Sequence, residues 1–396
     1  ADTADTKSGE LQALGRVDEA QKLEQQVFAM TEKVLARRPG DLHALEDRFF
    51  AARRLAGLAD SRHDVASATS YANQTVQAAR DWVRFDPSSL DAWSRWAQSL
   101  AGVATFQYER GEVSAAIATA RSALALAHDP RSPKGLAAVT VYISAGLAQL
   151  QAQSGDSAGA NQSLQAYLRN LHGLATGFLP PGSPERLLAA GAMNQLLTGG
   201  QLKLDEGAAE SALTQVTAAR SMIEPIEVPK TDAGATRSKN RKLEDSLNVA
   251  ARAAVQLGRY AQAETLARQW LAIIPNAIAV QTDPKPLEFR ATYILARAIA
   301  MQGRNDEAQK TLQSALAYYV GEQKAGATGT TFRHDYAYAL YVSAIAQPGD
   351  ANGRKQRNAA LAEAAVQIAG ASAEAQKLAD MRRLSDLIAK ARATRA

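Results

Sequence analysis

The sequence has 396 residues, and 46% of them are hydrophobic, which is enough to bury one or more cores. Its 45 Lys and Arg residues against 40 Asp and Glu residues give a net charge of +5, which is too small to indicate an extended nucleic-acid surface. The absence of cysteine excludes disulfides, thiolate metal sites and cysteine nucleophiles.

The residue pattern is helical along the whole chain. Alanine, leucine, glutamine and arginine recur at three- and four-residue spacing, whereas alternation of apolar and polar residues is almost absent. We therefore predict an all-α fold. No apolar run is long enough to span a bilayer, and none resembles a signal peptide. The chain begins with Ala1 and not with methionine, so the sequence leaves room for an upstream anchor or effector domain.

A glycine followed five residues later by an alanine recurs along the chain. Glycine allows a tight turn and alanine allows two helices to cross closely, so each pair predicts the start of the second helix of a helical hairpin. The pairs are Gly15 with Ala20, Gly111 with Ala116, Gly155 with Ala160, Gly258 with Ala263, and Gly303 with Ala308. Residues 42–58 and 67–87 predict one further, degenerate hairpin, and the gap from Gly155 to Gly258 has room for about two units.

The stretch from Gly258 to Pro275 shows the pattern most fully. A helix over residues 259–274 would bury Ala263, Leu266, Trp270 and Leu271 at helical spacing. Pro275 is expected to end this helix, because proline lacks the backbone donor that continuation needs.

These residues resemble the tetratricopeptide repeat family. Gly258, Ala263, Leu271 and Pro275 match the pattern of its second helix, and Trp93 and the pairs Leu147-Ala148 and Leu295-Ala296 match its first helix in part. The units are longer than the family repeat, because Gly111 and Gly155 are 44 residues apart and Gly258 and Gly303 are 45 apart. The resemblance implies an α-solenoid of antiparallel helical hairpins in a right-handed superhelix, with a concave groove for a protein or peptide.

The sequence predicts three parts: N-terminal hairpins at 1–180, an irregular helical segment at 181–245, and C-terminal hairpins with a capping helix at 246–396. The middle part contains the run LPPGSP at 179–184 and the pair Gly199-Gly200, and residues 225–243 predict an exposed, basic, mobile loop. The C-terminal 26 residues predict an amphipathic capping helix. Its apolar side is formed by Leu378, Met381, Leu384, Leu387 and Ile388.

No group of residues indicates catalysis, so we predict a non-enzymatic protein without metal or cofactor. The histidines are not spaced as metal ligands on a helix. They are His43, His63, His128, His172 and His334. The adjacent pairs His63-Asp64 and His334-Asp335 are interpreted as solvated or capping residues, and residues 349–355 as a turn between helices and not a phosphate loop.

The large aromatic side chains are interpreted mainly as fillers of the junctions between long helices, with a ligand cage as the alternative. One group surrounds an inter-helix turn, and a tyrosine-rich group lies near the C-terminal end. The first group is Trp82, Phe85, Trp93 and Trp96. The second group is Tyr318, Tyr319, Phe332, Tyr336, Tyr338 and Tyr341.

The family resemblance also implies which side chains line the groove. It places Asp245, Asn248 and Arg252 at three groove positions of one hairpin, and Arg290, Tyr293 and Arg297 at the same positions of the next. Arg252 and Arg297 thus share a position, and with Tyr293 and Tyr336 they predict an arginine ladder that holds carboxylates of an extended peptide. The equal alternative is that these arginines pair with acidic residues of neighbouring helices.

The leading functional hypothesis is a scaffold that binds an acidic segment of a protein partner in the groove. The alternative is a sensor or regulatory domain of a larger signal-transduction protein with an upstream kinase, cyclase or DNA-binding effector. A weaker alternative is contact of the basic residues 230–242 with anionic lipid or nucleic acid. The composition favours a bacterial source, and a periplasmic location is slightly favoured over a cytoplasmic one.

Overall fold

The computed structural model describes residues 2–136, 140–170, 184–229, 231–278 and 283–394. All regular secondary structure in these ranges is helical, so the predicted all-α fold is confirmed. The chain forms two compact units, Ala1–Leu147 and Ala148–Ala396. The predicted boundaries at 180 and 245 do not coincide with this division.

Unit 1 contains six long helices and a 3-10 turn at Leu126–His128, within its described residues. The helices are α1 (Asp2–Ala13), α2 (Val17–Arg37), α3 (Leu42–Asp60), α4 (Val65–Phe85), α5 (Leu90–Glu109) and α6 (Val113–Ala125). Helix α7 (Val141–Ser154) runs across the boundary between the units. Helices α3 and α4 confirm the degenerate hairpin predicted over residues 42–87.

Unit 2 continues the series of helices and has a short 3-10 turn at Ala375–Lys377. Its helices are α8 (Ser157–Asn170), α9 (Pro184–Asp205), α10 (Ala209–Ile223), α11 (Ala233–Gln256), α12 (Tyr260–Ala277), α13 (Lys285–Ala300), α14 (Asn305–Lys324), α15 (Thr330–Ile345), α16 (Ala351–Ala369) and α17 (Ala379–Ala393). Consecutive helices pack against each other as antiparallel hairpins, which makes this an all-α helical repeat fold.

Seven of the hairpin turns share one backbone geometry, and the turn between α15 and α16 does not. Gly258 has φ +72°, and the next residue, Arg259, donates its N–H to the carbonyl of Ala254 at 2.9 Å. This six-residue hydrogen bond around a left-handed residue is the Schellman ending, which satisfies carbonyls that the helix leaves open. The same positive φ and the same bond occur at the four other predicted glycines, Gly15, Gly111, Gly155 and Gly303.

Two further turns of this kind escaped the sequence analysis. Gly207 has φ +83° between α9 and α10, and His63 has φ +58° between α3 and α4. Each is followed five residues later by a buried alanine, as in the other hairpins. All seven of these alanines are at most 1% exposed, which confirms their role at close helix crossings. They are Ala20, Ala68, Ala116, Ala160, Ala212, Ala263 and Ala308.

The prediction of a mobile loop over residues 225–243 is wrong for its second half, because α11 begins at Ala233. Asp232 caps this helix by accepting a hydrogen bond from the backbone N–H of Ala235 at 2.8 Å. Ala235 is buried against the α9 and α10 side chains Met193 and Ile223. The basic residues therefore lie on a helix whose other side is part of the core.

The pair Gly199-Gly200 also lies inside a helix and not in an irregular segment. A Cβ on Gly200 would lie 2.5 Å from Val216 Cγ1 and 3.3 Å from the carbonyl oxygen of Ala212, so glycine permits α9 and α10 to approach closely. Pro275 likewise lies inside the last turn of α12, which ends at Ala277, three residues beyond the predicted end at residue 274. Residues 179–183, Lys230 and His172 lie outside the described residues.

Several smaller predictions are confirmed. Trp93 is 1% exposed in a core with Leu45, Trp82 and Leu136, so this aromatic group fills a helix junction. Asp64 is exposed and caps α4. Asp350 caps α16, but this helix begins at Ala351, so only the first two residues of the turn predicted at 349–355 lie between helices. The C-terminal helix α17 buries three of its predicted apolar residues, Met381, Leu384 and Ile388.

The turn geometry predicts opposite effects of one chemical change at two glycines. Gly258→Ala should destabilise the protein by about 1–2 kcal/mol, because alanine resists positive φ. Gly146→Ala, inside α7, should stabilise it by about 0.5–1 kcal/mol, because alanine favours a helix. A Cβ meets no atom within 4 Å at either position, so only the backbone conformation differs. Thermal unfolding followed by far-UV circular dichroism measures both effects, and shifts of the same sign would contradict this account.

Candidate functional site

The first helices of successive hairpins in unit 2 lie side by side. Helix α11 contacts α9 and α13, and α15 contacts α13 and α17. Asn248 and Arg252 lie on α11, Arg290, Tyr293 and Arg297 lie on α13, and Tyr336 lies on α15. We call the polar surface formed by Arg252, Arg290, Tyr293, Arg297 and the α15 residues that they contact the arginine wall.

Arg290 and Tyr293 both bind Asp335 of α15. The guanidinium of Arg290 donates to Asp335 Oδ2 at 2.6 and 3.2 Å, and the Tyr293 hydroxyl donates to Oδ1 at 2.9 Å. Asp335 is 4% exposed, and burial alone would raise the pKa of its carboxyl group. The charge of Arg290 and the hydrogen bond with His334 outweigh burial and hold that pKa well below its usual range. Asp335 is therefore an ionised, buried counter-ion.

The interpretation of His334-Asp335 as a solvated or capping pair is wrong. His334 Nδ1 lies 2.9 Å from Asp335 Oδ1, and both side chains are at most 18% exposed. Residues adjacent on a helix diverge by about 100°, but the His334 ring turns back to the carboxylate of its neighbour Asp335.

Arg252 pairs with Asp380, at the start of the C-terminal helix α17, at 3.0 Å. Asp380 also pairs with Arg383 of its own helix and exchanges hydrogen bonds with the side chain of Gln153 on α7 at 3.0 and 3.2 Å. Gln153 donates to Asp205 on α9 at 2.6 Å. The predicted capping helix is thus tied by its first turn to α7, α9 and α11.

The two carboxyl groups joined by Gln153 have opposite electrostatic environments. Burial, and next the charge of Asp380, raise the pKa of Asp205 above its usual range. Burial also disfavours ionised Asp380, but the charges of Arg252, His334 and Arg383 lower the pKa of Asp380 well below its usual range. Asp380 therefore carries the negative charge of the pair, and Asp205 is the carboxyl group that holds a proton more readily.

Arg297 has a different environment from the other two wall arginines. It is 8% exposed and donates a hydrogen bond to the Tyr338 hydroxyl. Its guanidinium lies 5.6 Å from the ring centre of Tyr338 and 5.5 Å from that of Tyr341, as in cation–π contacts. Among the described residues it has no carboxylate partner, and its buried Nε has no hydrogen-bond acceptor. Tyr293 stacks near Tyr338, with ring centres 4.6 Å apart, and completes this side of the wall.

The structure does not place Tyr336 with the arginines. Tyr336 is 4% exposed and stacks on Tyr319 of α14 with ring centres 5.8 Å apart, beside Phe332. It belongs to the aromatic filling between α14 and α15. Asn248 is partly buried, and its Oδ1 atom has no hydrogen-bond partner among the described residues.

Sequence reasoning did not assign to the site the residues that complete it: Gln153, Asp205, Asp335, Tyr338, Asp380 and Arg383. Asp335 and Tyr338 were singled out, but with other roles. Asp380 lies 128 residues from Arg252 along the chain, and the two side chains meet only in the folded protein. The sequence did contain a signal for Asp335, because it lies 45 residues after Arg290, which is one repeat length along the chain. The alternative that the arginines pair with acidic neighbours holds for Arg252 and Arg290, but not for Arg297.

Within the described ranges, no three His, Cys, Asp or Glu side chains come together as a metal-binding group. No helix in those ranges is both long and apolar enough to cross a bilayer.

Neither a protein-family model nor a curated protein matches this chain. Among solved structures, it is similar to a Rap protein complexed with competence and sporulation factor, with 14% identity over 100% of this chain and 99% of that one and a TM-score of 0.49. It is also similar to a human IFIT1 dimer with m7Gppp-AAAA, with 14% identity over 98% and 72% of the two chains and a TM-score of 0.47. Such remote likenesses do not bear on function, and the repeat fold rests on the helices described above.

The Arg252–Asp380 pair predicts a strong dependence of stability on one carboxylate. Asp380→Asn should destabilise the protein by about 3 kcal/mol or more, because it leaves the guanidinium of Arg252 largely buried without its counter-ion. Asp386→Asn on the exposed side of the same helix is the control and should change stability little. Thermal unfolding measures both, and equal effects would contradict a structural role of the pair.

The raised pKa of Asp205 predicts a pH dependence with a definite sign. The native state keeps the Asp205 proton at pH values where the unfolded state has lost it, so this group's contribution to stability is largest below about pH 4 and declines as pH rises. Asp205→Asn removes that titration. We therefore expect the melting temperature of Asp205→Asn, relative to that of the unsubstituted protein, to rise from acid to neutral pH. A difference that is constant with pH would show that Asp205 does not titrate there.

Proposed function

We propose that unit 2 is a non-enzymatic binding module that takes an acidic, extended segment of a protein partner at the arginine wall. The bound carboxylate interacts with Arg297, and the rings of Tyr293, Tyr338 and Tyr341 support the segment beside it. This proposal refines the sequence-based hypothesis of an arginine ladder, because the three wall arginines are not equivalent.

The observation that carries the proposal is the uncompensated charge of Arg297. Arginine stays protonated in proteins, and a largely buried cation without a counter-ion is costly. Tyrosine rings and one hydroxyl group hold the guanidinium in place, but they leave its buried Nε without an acceptor. A carboxylate from a partner would supply the missing opposite charge at the exposed part of this guanidinium.

The rest of the wall supports binding of carboxylates in this geometry. Arg290 and Arg252 each hold a carboxylate from a neighbouring helix, at 2.6 and 3.0 Å. Arg252 and Arg290 are thus committed to the fold, and Arg297 is the wall arginine that a partner can neutralise.

The alternative of a sensor domain in a larger signalling protein depends on regions outside this sequence and stays a prediction. Contact of the basic segment with lipid or nucleic acid has less support. Lys239 donates to the backbone carbonyls of Glu224 and Ile226, and Arg241 lies within 3.5 Å of carboxylate oxygens of Glu244 and Asp245, so part of this charge is used within the protein.

The experiment is an array of extended peptides in which each Asp- or Glu-containing sequence is paired with its Asn or Gln counterpart. The protein should retain acidic members and lose their neutral counterparts. Arg297→Gln should weaken retained interactions by roughly tenfold or more, as expected for a charge-assisted hydrogen bond. Arg268→Gln, which changes an exposed arginine of a second helix, is the control and should have little effect.

Circular dichroism and melting of Arg297→Gln establish that the variant is folded. If it is not, Arg297→Lys keeps the charge and loses the forked geometry, and an intermediate affinity is then expected. Equal retention of acidic and neutral peptides, equal binding by Arg297→Gln and Arg268→Gln, or no retained acidic peptide would each refute the proposal.

A further inference from the structure

Unit 1 contains a cavity of about 270 Å³ between helices α3, α4 and α5. This volume is near the lower end for small-molecule sites, which commonly have about 300–1,000 Å³. The cavity lies wholly within unit 1 and shares no residue with the arginine wall of unit 2.

The interior of the cavity is mainly apolar. Phe49 and Phe106 contribute aromatic surface, and Val103 and Ala56 contribute aliphatic surface. Phe49 is 1% exposed and is fixed by core contacts with Ala78 and Ala79 of α4, so this part of the lining is rigid. A bound molecule would therefore present an apolar body to a preformed surface.

Two glycines help to create the space. Gly57 on α3 and Gly102 on α5 line the cavity, and a Cβ on either residue would meet no other atom within 4 Å. Glycine in the middle of a helix costs about 0.5–1 kcal/mol relative to alanine. Neither turn geometry nor helix packing requires glycine at Gly102. The fold therefore does not explain why a glycine stands at this position.

The lining also includes a cation without a partner. Arg53 on α3 is an exposed residue of this lining and makes no ion pair or hydrogen bond with any described residue. Its arginine neighbours differ, because Arg54 pairs with Glu24 at 3.0 Å and Arg95 with Asp91 at 3.2 Å. Partial burial and the charges of Arg95 and Arg54 lower the pKa of Arg53 from its usual value, so an anion here would relieve repulsion.

The other polar groups at the cavity already have hydrogen bonds. The Thr75 and Ser99 hydroxyls donate to the carbonyls of Tyr71 and Trp96, both at 2.8 Å. The Gln98 amide donates to the Ser94 hydroxyl at 2.9 Å. The remaining strong donor is the guanidinium of Arg53, which favours a single anionic group at one end of an otherwise apolar ligand.

We propose that unit 1 binds a small organic anion whose aromatic or branched apolar body fills the cavity between α3, α4 and α5 and whose acidic group pairs with Arg53. The inference does not depend on peptide binding by unit 2. It gives the chain a second site with a different ligand class.

The test uses anilinonaphthalene sulfonate, an aromatic anion that becomes fluorescent in apolar surroundings, and phenylnaphthylamine, which lacks its sulfonate. The protein should bind the sulfonate probe saturably and more tightly than the neutral probe. Gly102→Leu places a side chain in the cavity and should abolish binding of both probes. Arg53→Gln should weaken binding of the sulfonate by roughly tenfold and leave that of the neutral probe unchanged.

Two matched variants separate this site from general probe binding. Gly321→Leu changes an exposed helical glycine whose Cβ also meets no atom within 4 Å, and Arg80→Gln removes an exposed arginine of α4 outside the cavity. Both should bind the probes as the unsubstituted protein does. If Gly102→Leu does not fold, Gly57→Leu fills the cavity from α3. Unchanged binding in the folded cavity variant, or equal effects of Arg53→Gln and Arg80→Gln on the sulfonate, would overturn the proposal.

Discussion

The repeated helix ending is the constraint on which the structure depends. A left-handed residue after the first helices α1, α3, α5, α7, α9, α11 and α13 lets the next N–H bond back to a carbonyl five residues earlier, so the chain reverses at once. The alanine that follows five residues later then permits the second helix to cross the first closely. His63 shows that the requirement is for the backbone conformation and not for glycine itself, although other residues adopt that conformation at a cost.

One consequence of this geometry is that first helices from different hairpins become neighbours. Side chains about forty residues apart, such as Arg290 and Asp335, meet at hydrogen-bond distance. The same stacking brings Asp380 of the last helix to Arg252, more than a hundred residues earlier in the chain. Buried charges are tolerated there because each has an opposite charge or several hydrogen bonds. The polar wall therefore stabilises the array as well as forming its candidate site.

Arg297 departs from this rule, and Arg53 is an exposed cation that also has no ion pair among the described residues. Both lie on first helices, α13 and α3, and neither has a carboxylate partner among the described residues. Their surroundings differ: Arg297 lies among tyrosine rings and is almost buried, whereas Arg53 lies at a cavity with apolar walls. The first suits a carboxylate carried by a peptide, and the second suits the acidic group of a small apolar molecule.

The sequence by itself determined the helices, most turns and the small residues at the crossings, because these depend on contacts within a few residues. The resemblance to a repeat family also placed Arg252, Arg290, Tyr293 and Arg297 at groove positions of two successive units, with Arg252 and Arg297 at the same position. Only the tertiary structure decided which of these arginines are neutralised, because Asp335 and Asp380 reach them from other helices. It likewise decided that Tyr336 faces Tyr319 and that residues 233–243 form a helix, since the packing of neighbouring helices outweighs local composition.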